Sequence, residues 1–435
     1  MSSICLVLLA HHSERLRPIS EFDVDDTAPG DAVDASKVVD DEATRQSLAE
    51  LAEQALLPAM TLLAKLLDKH AAFNFALAPT GPLLRSAELH EPTKTALEHL
   101  CRHERVSLIA TPGDQSILSI LPTFHATAQL DAARKSLGKR FGKRVRTAAN
   151  TELIYDDAFA ERARLAGFSH VLCGLADRHL GGRSANVAYR APSSADGSIT
   201  VVARQAGLSD DLGVRFSDPA WEPGPIDAET YADWVRGSLD QSSGNAVPIV
   251  LHLSDFGRTH PGPGLLTLLE DLPEALFKRG IGFTAPGELK APADRVLSVP
   301  QATSAWSPAC DLSPWLSNAM QSNVLDQLNT VLRDVNELDA SGSAPEKVAE
   351  ARRVLEVLAA SDHLAAMRYR PMPDSIKATR VDEPTVDLSA ASAELRRRPP
   401  AWDSAYDAYL AVSLHLRKLS KQLLPTSAAA ATTTQ

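Results

Sequence analysis

Residues 4–10, ICLVLLA, form a run of seven apolar residues that ends directly in His11 and His12. An apolar run of this length with no polar alternation predicts one strand buried on both faces, which is typical of a parallel sheet. Six further short, mostly apolar runs follow along the chain. They are FNFALA (73–78), VSLIA (106–110), VRTAA (145–149), HVLCGL (170–175), PIVLHL (248–253) and GIGFTA (280–285).

Helical patterns lie between several of these predicted strands. The clearest begins at Thr44 and has leucine and alanine at three- and four-residue spacing to Leu66, with Pro58 predicting a kink or a break inside it. Alternating strands and helices predict a parallel α/β sheet, and seven such strands are enough to form a barrel. We therefore expect residues 1–290 to form one (β/α) barrel domain.

Two regions depart from this rhythm. Residues 185–247 contain one hairpin-like strand, ITVVAR (199–204), in a long stretch that we interpret as an insertion into the barrel. Residues 291–425 show helical patterns only, at about 314–338, 345–360 and 401–424, with a loop at 370–400. The low-complexity end at 426–435 predicts a disordered tail.

Composition excludes several classes of partner. The chain has 435 residues, with 44 Lys and Arg against 55 Asp and Glu, which gives a formal net charge of −11. Such an acidic chain lacks the basic surface that nucleic acids and anionic membranes attract, so we expect neither as a partner. No apolar stretch is long enough for a membrane helix and no signal peptide is apparent, and the four cysteines are scattered. We expect a cytoplasmic protein with buried thiols.

Polar residues follow the predicted strands at the ends where barrel enzymes carry their chemistry. They include His11 and His12, Thr80, Gln115, Glu152, Asp177 to His179, His252 with Asp255, and Glu288. Taken singly, each is more often a loop cap or a solvated charge than a functional group. As a ring above an apolar interior, they indicate an active-site layout.

The string NTELIYDD (150–157) resembles the nucleophile motif of glycoside hydrolase family 57, the α-amylase and glucanotransferase family. The resemblance extends along nearly the whole chain. Further similar segments are residues 3–24, 38–59, ADRHLGGRSAN (176–186), SDDLGVRFSDPAW (209–221), DLSPWLSNAMQ (311–321) and SDHLAAM (361–367). The resemblance implies an incomplete seven-stranded barrel followed by a helical region, in agreement with the strand count.

The resemblance also implies retaining hydrolysis of α-glucosidic bonds by two carboxyl groups, with no metal or other cofactor. Glu152 matches the nucleophile, and His11 matches a histidine that binds sugar hydroxyls. An α-glucan or maltooligosaccharide is the expected ligand. Further candidate substrate-binding residues in matching segments are His12, Asp177, Trp221, Trp306, Asp362 and His363.

The chemistry departs from the family pattern at the general acid. The acid's place in HLSDFGRTH (252–260) falls on His252, and a glutamate of the second motif falls on Arg85. Because one member of the acid and nucleophile pair is lost, we expect glucan binding with weak or absent hydrolysis. The alternatives are an active hydrolase or 4-α-glucanotransferase that uses Asp255 or His252 as its acid, and a metal-dependent carbohydrate deacetylase built on rim histidines and aspartates.

Overall fold

The structure is a computed structural model. It describes residues 2–113, 115–121, 126–192, 199–218, 221–224, 226–257, 264–307, 309–368, 402 and 404–425. The predicted loop at 370–400 and the predicted tail at 426–435 lie outside these residues.

One sheet contains all the described strands. They are β1 (Ser3–Ala10), β2 (Phe75–Pro79), β3 (Val106–Ala110), β4 (Thr147–Ala149), β5 (His170–Cys173), β6 (Tyr189–Arg190), β7 (Thr200–Ala203), β8 (Ala246–His252) and β9 (Gly282–Phe283). The strand order is β6-β7-β5-β4-β3-β2-β1-β8, and every pair is parallel except β6 with β7. The predicted parallel α/β sheet with seven barrel strands is confirmed.

The seventh parallel strand differs from the prediction. The predicted strand 280–285 contributes only Gly282–Phe283, which pairs with the first two residues of β1 beside the main sheet. Its place is taken by β7, which lies inside the span 185–247 and pairs with β5 over four residues. A strand of four residues is difficult to recognise in a sequence. Strand β7 also pairs antiparallel with β6, as the hairpin-like interpretation of residues 199–204 predicted.

Helices cover the outer face of the sheet. In the barrel region they are α1 (Glu21–Asp25), α2 (Asp41–Leu51), α3 (Leu57–Lys69), α4 (Gly81–Ser86), α5 (Glu91–Arg102), α6 (Ala126–Phe141), α7 (Asp157–Leu165), α8 (Asp177–Leu180), α9 (Ala206–Gly213), α10 (Ala228–Asp240) and α11 (Gly264–Lys278). A π-helical turn, Ala52–Leu56, joins α2 to α3 just before Pro58. Proline has no N–H to continue the helical ladder, so the predicted irregularity is accommodated by this wider turn.

The two faces of β1 explain its unbroken apolar sequence. Ile4, Leu6 and Leu8 belong to the core beneath the helices, whereas Cys5, Val7 and Leu9 point into the barrel. The interior cluster takes residues from each neighbouring strand, and they are Ala76, Ala78, Ile109, Ala149, Leu172, Val202 and Val250. Both faces of the strand are therefore buried from solvent, and no position favours a polar side chain.

The barrel is incomplete between β7 and β8, where a side chain replaces part of the missing ladder. The Gln205 N–H donates to the carbonyl oxygen of Pro248 at 2.8 Å. The Val250 N–H donates to Ser209 Oγ at 3.1 Å, and that hydroxyl donates to the Gln205 carbonyl oxygen at 2.6 Å. Helix α9 thereby satisfies backbone groups that a closed barrel would pair between strands.

The C-terminal helices are α12 (Ala319–Ser341), α13 (Pro345–Leu358), α14 (Ser361–Ala366) and α15 (Ala405–Leu423), which confirms the predicted helical region. Their core includes Leu16, Ile117 and Ile154, which follow β1, β3 and β4. This places the helical region over the carboxyl ends of those strands. None of the helices in the described part of the chain is long and apolar enough to cross a membrane.

Substitutions at Gly244 and Gly237 can test whether the segment before β6 packs against the residues that precede β8. A Cβ at residue 244 would lie 1.9 Å from the carbonyl oxygen of Asn186, whereas one at residue 237 in α10 would meet nothing within 4 Å. We expect Gly244→Ala to lower the free energy of unfolding by about 2 kcal/mol or more. Gly237→Ala should raise it by about 0.5–1 kcal/mol because alanine favours a helix.

Urea unfolding followed by circular dichroism measures both values. A Gly244→Ala variant as stable as the original chain would show that Asn186 and Gly244 are not in contact.

Candidate functional site

Glu152 lies just beyond β4 in a short 3₁₀ turn that begins after Asn150. Its φ is +52° and that of Leu153 is +53°, so two consecutive non-glycine residues adopt the left-handed region. Two hydrogen bonds from other parts of the chain hold the turn. The Trp306 N–H donates to the Glu152 carbonyl oxygen at 2.7 Å, and the Gly174 N–H donates to that of Leu153 at 2.9 Å.

The carboxylate of Glu152 contacts the C-terminal helical region. Ser361, the first residue of α14, donates from Oγ to Glu152 Oε1 at 2.8 Å. The Ser361 N–H donates in turn to the carbonyl oxygen of Gln115. Glu152 is only 5% exposed, so this hydroxyl is a substantial part of its environment. Sequence reasoning missed Ser361, and its position at the start of the SDHLAAM segment was the available signal.

The next residue of α14 engages His11. Asp362 Oδ2 lies 2.6 Å from His11 Nε2, and His11 Nδ1 lies 2.8 Å from Thr80 Oγ1. Ser13 also donates its hydroxyl to Asp362. The structure thus brings together Glu152, His11 and Asp362, three predicted site residues, through two successive residues of α14.

His12 faces the other way. Its ring nitrogens lie 3.1 Å from Ser86 Oγ and 2.9 Å from Ser47 Oγ, between α4 and α2. Successive side chains of an extended segment point to opposite sides, so His11 and His12 cannot both face the site. Burial lowers the pKa of His12 to about 3. The structure therefore places this predicted substrate-binding residue in a structural role as a neutral imidazole.

Trp306 and His252 form the other side of the site. Their rings stack at a centroid distance of 4.2 Å and an angle of 20°, and the Arg204 guanidinium lies 4.8 Å from the Trp306 ring centroid. Trp306 is 3% exposed and belongs to the barrel's interior cluster. The backbone N–H of this tryptophan therefore holds the Glu152 carbonyl oxygen, and its ring holds the His252 ring by stacking.

Asp255 lies in the 3₁₀ turn Leu253–Gly257, directly after β8. Its Oδ2 accepts a hydrogen bond from the His252 backbone N–H at 3.0 Å, and the residue is 1% exposed. This carboxylate holds the turn that carries His252.

The model of glycosyl hydrolase family 57 matches residues 31–300, which is more than half of the chain. The chain belongs to glycosyl hydrolase family 57. A protein named "Putative alpha-amylase" from Methanocaldococcus jannaschii is 26% identical over 346 residues, which cover 78% of this chain and 72% of that protein.

Solved structures of family members share the fold. A family-57-type branching enzyme from Pyrococcus horikoshii matches with a TM-score of 0.60 and 14% identity, over 84% of this chain and 85% of that one. An α-amylase from Thermotoga maritima matches with a TM-score of 0.55 and 11% identity, over 91% of each chain. At these identities the likeness shows the fold alone.

Three other predicted site residues lie apart from the contacts around Glu152. Trp221 packs edge-on against Trp234 of α10 at a centroid distance of 6.0 Å. Asp177 is exposed at the start of α8. His363 is 2% exposed and contacts Trp402, and burial lowers its pKa to about 4.

The three histidines named for a possible metal site contact other side chains. His11 contacts Asp362, His12 lies between two serines, and His252 stacks on Trp306. In the part of the chain that the structure describes, no group of three or more His, Cys, Asp or Glu side chains is placed to hold a metal ion. These contacts do not favour the deacetylase alternative.

Arg85, which the sequence resemblance aligns with a glutamate, forms a bidentate pair with Glu14 at 2.8 Å for both hydrogen bonds. Arg353 of α13 contacts the same carboxylate at 3.2 Å. Burial opposes ionisation of Glu14, but the two arginines outweigh it and hold its pKa below the usual value. A carboxylate is therefore present near position 85 after all, supplied by a different residue and neutralised. The Ser-Glu sequence after His12 gave no sign of this pairing.

The buried histidines predict how stability depends on pH. Because the pKa of His12 is about 3 in the folded protein, the unfolded chain binds the extra proton between about pH 6.5 and pH 3. Stability therefore falls as the pH decreases through that window. We expect His12 alone to lower the free energy of unfolding by about 2 kcal/mol between pH 7 and pH 5.

Urea unfolding at the two pH values, with His12→Asn as the comparison, measures this contribution. The variant should lose less stability on acidification than the original chain. Equal losses would show that His12 does not titrate on unfolding.

Proposed function

We propose that this protein binds α-glucans or maltooligosaccharides in the cleft around Glu152 and hydrolyses them slowly or not at all. The observation that carries the proposal is the environment of Glu152 itself. Ser361 donates a hydrogen bond to Glu152, the residue that matches the family's nucleophile motif, and the His252 imidazole, which the same resemblance aligns with the acid, stacks on Trp306.

Retaining hydrolysis needs one carboxylate to attack the anomeric carbon and a second acid, about 5–5.5 Å away, to protonate the leaving oxygen. An unprotonated sugar alkoxide is a very poor leaving group. If His252 were the acid, its imidazolium would add positive charge beside an oxocarbenium-like transition state, which a carboxylate would stabilise. The substitution therefore lowers the rate even where the sugar still binds.

Asp255 is poorly suited to replace the acid. Its Oδ2 accepts the His252 N–H and the residue is almost fully buried, so protonating a sugar oxygen would require the turn to rearrange. Asp362 is a second carboxylate for this role, because Ser361, the residue before it, bonds Glu152 and Asp362 itself bonds His11, although it too would have to give up its bonds to His11 and Ser13. An active α-glucan hydrolase or 4-α-glucanotransferase with Asp362 as acid is therefore the second candidate.

Sugar binding is expected to use His11 and Asp362, which bond each other beside Ser361, and to need no metal or organic cofactor. We also propose a cytoplasmic location. Cys5, Cys101, Cys173 and Cys310 are free thiols, which is typical of proteins in reducing compartments.

Two kinds of substrate distinguish nucleophilic attack from protonation of the leaving group. We expect amylose and maltooligosaccharides to be hydrolysed at least 100-fold more slowly than is usual when a general acid is present, because that acid typically contributes about 10²–10⁴-fold. An activated aryl α-maltoside, whose leaving group departs without a proton, should be turned over slowly. Glu152→Gln should abolish that turnover. Chromogenic assays and product chromatography measure both rates.

Three variants identify the acid. His252→Asp should raise the rate on maltooligosaccharides, whereas Asp255→Asn should leave it low. A large loss of glucan hydrolysis in Asp362→Asn, with the aryl α-maltoside still turned over, would support the second candidate. Calorimetry with millimolar maltotetraose tests binding, and no binding by the original chain would refute the proposal.

A further inference from the structure

A cavity lies at the end of the barrel opposite Glu152, where the parallel strands begin. Its volume is about 350 Å³, and three parts of the chain form its wall: residues 185–188 before β6, the starts of β1 and β8, and residues 282–290. The two strand starts are joined there, since the Ser3 N–H donates to the Asn245 carbonyl oxygen at 2.9 Å. The volume is at the lower end of the range of about 300–1,000 Å³ for small-molecule sites.

The packed interior of the barrel separates this cavity from Glu152. Strand β1 begins at the cavity and ends at the other side, and a strand rises about 3.3 Å per residue, so roughly 20 Å separates Ser3 from Leu9. Cys5, Val7 and Leu9 fill the interior between them and are at most 4% exposed. A ligand in the cavity therefore cannot reach Glu152, and the cavity is separate from the cleft described above.

Glu288 brings a carboxylate to the wall of the cavity. The Leu289 carbonyl oxygen lies 2.8 Å from Nε2 of His170, the first residue of β5, which fixes this segment beneath the barrel. Thr284 Oγ1 donates to Glu288 Oε2 at 3.3 Å. Glu288 therefore lies at the opposite end of the barrel from Glu152, in contrast to the sequence-based prediction that it follows a strand at the active-site end.

Asn186 adds an unsatisfied acceptor to the same wall. The residue is 3% exposed, and its Nδ2 donates to the carbonyl oxygen and the Oγ of Ser238 at 3.0 and 2.9 Å. Because the Ser238 carbonyl oxygen can only accept, these bonds fix the orientation of the amide. Among the described residues, Asn186 Oδ1 has no hydrogen-bond partner. Buried acceptors usually have a donor, so this oxygen favours a ligand that supplies one.

The groups around the cavity favour a neutral ligand rich in hydroxyl groups. One carboxylate, Glu288, and one ammonium group, Lys290, leave the wall with no net charge. In the described part of the chain neither forms an ion pair, so both are available to a ligand. An anion or a cation would pair with one of them and be repelled by the other.

The remaining lining is partly hydroxyl and partly apolar. Ser3 and Thr284 supply hydroxyl groups, whereas Val187, Val202 and Leu289 are apolar. A sugar has the matching surface, because its hydroxyl groups bind carboxylate, amide and hydroxyl groups while its C–H faces contact apolar side chains.

We propose that this cavity is a second sugar site, which binds maltose or the end of an α-glucan. Glu288 accepts hydrogen bonds from sugar hydroxyls, Lys290 donates to sugar oxygens, and a hydroxyl beside Asn186 supplies the missing donor. The choice of an α-glucan as the sugar rests on the proposed function. The site holds the glucan on the protein and takes no part in bond cleavage.

Gly282 allows the cavity to be filled while the sheet stays intact. The Phe283 ring packs on Phe73 at a centroid distance of 4.8 Å, among the helices, so the preceding residue of β9 faces the other side, where it lines the cavity. A Cβ at residue 282 would meet nothing within 4 Å. Gly282→Leu should therefore occupy the space that the sugar needs. Gly237→Leu in α10 is the matched control, since its Cβ also meets nothing within 4 Å and it does not line the cavity.

Equilibrium dialysis with radiolabelled maltose counts the sites on the full chain, which carries any purification tag at its carboxyl end because Ser2 lines the cavity. We expect two maltose molecules per chain, one in each site. Gly282→Leu should bind one and still turn over the aryl α-maltoside at the original rate, whereas Gly237→Leu should bind two. Glu288→Ala should weaken binding at one of the two sites about tenfold, because a hydrogen bond to a charged group is lost.

The possible results separate this inference from the proposed function. Maltose binding that a folded Gly282→Leu leaves unchanged would overturn the second site and leave the proposed function standing. A single bound maltose that Gly282→Leu removes would support the second site and refute binding around Glu152. If circular dichroism shows that Gly282→Leu does not fold, Glu288→Ala decides, since it alters an exposed side chain, and unchanged affinity would overturn the inference. No binding by the original chain would refute both.

Discussion

The left-handed backbone at Glu152 and Leu153 is the constraint on which the site depends. Each non-glycine residue in this region costs about 1–3 kcal/mol unless its surroundings hold it there. The N–H groups of Trp306 and Gly174 supply that support by bonding the two carbonyl oxygens. Because Trp306 also stacks on His252, one residue holds both the backbone of Glu152 and the ring of His252.

The helical region completes the site as well as packing on the barrel. Ser361 and Asp362 of α14 contact Glu152 and His11, which come from two different barrel loops. Arg353 of α13 contacts Glu14 beyond β1 in the same way. Loosening of the helical region would therefore alter the surroundings of Glu152 even if the barrel stayed intact.

Much of the fold was readable from sequence because its signals are local. The runs 4–10 and 106–110 correspond to β1 and β3 nearly residue for residue, since these strands are largely buried on both faces and Ser107 is the one polar residue in the two runs. The strand β7 was harder to assign, because four residues next to a hairpin partner do not reveal which sheet neighbour they join.

The contacts of the site were less predictable for a physical reason. Ser361 lies 209 residues from Glu152, and Arg353 lies 339 residues from Glu14, so neither contact leaves a trace in local spacing. His12 was placed in the site by its neighbour His11, although alternation along an extended segment turns the two side chains apart. The motif resemblance pointed to Glu152 but not to the groups that surround it.

Glu14, Arg85 and Arg353 form one coupled group of charges beside the site. A buried carboxylate without a cation costs several kcal/mol, so Glu14 depends on Arg85 and Arg353. Restoring a glutamate at position 85 alone would set two carboxylates against each other and leave Arg353 as their shared cation. The charges of Glu14, Arg85 and Arg353 therefore constrain one another, and no one of them can be changed without altering the environment of the other two.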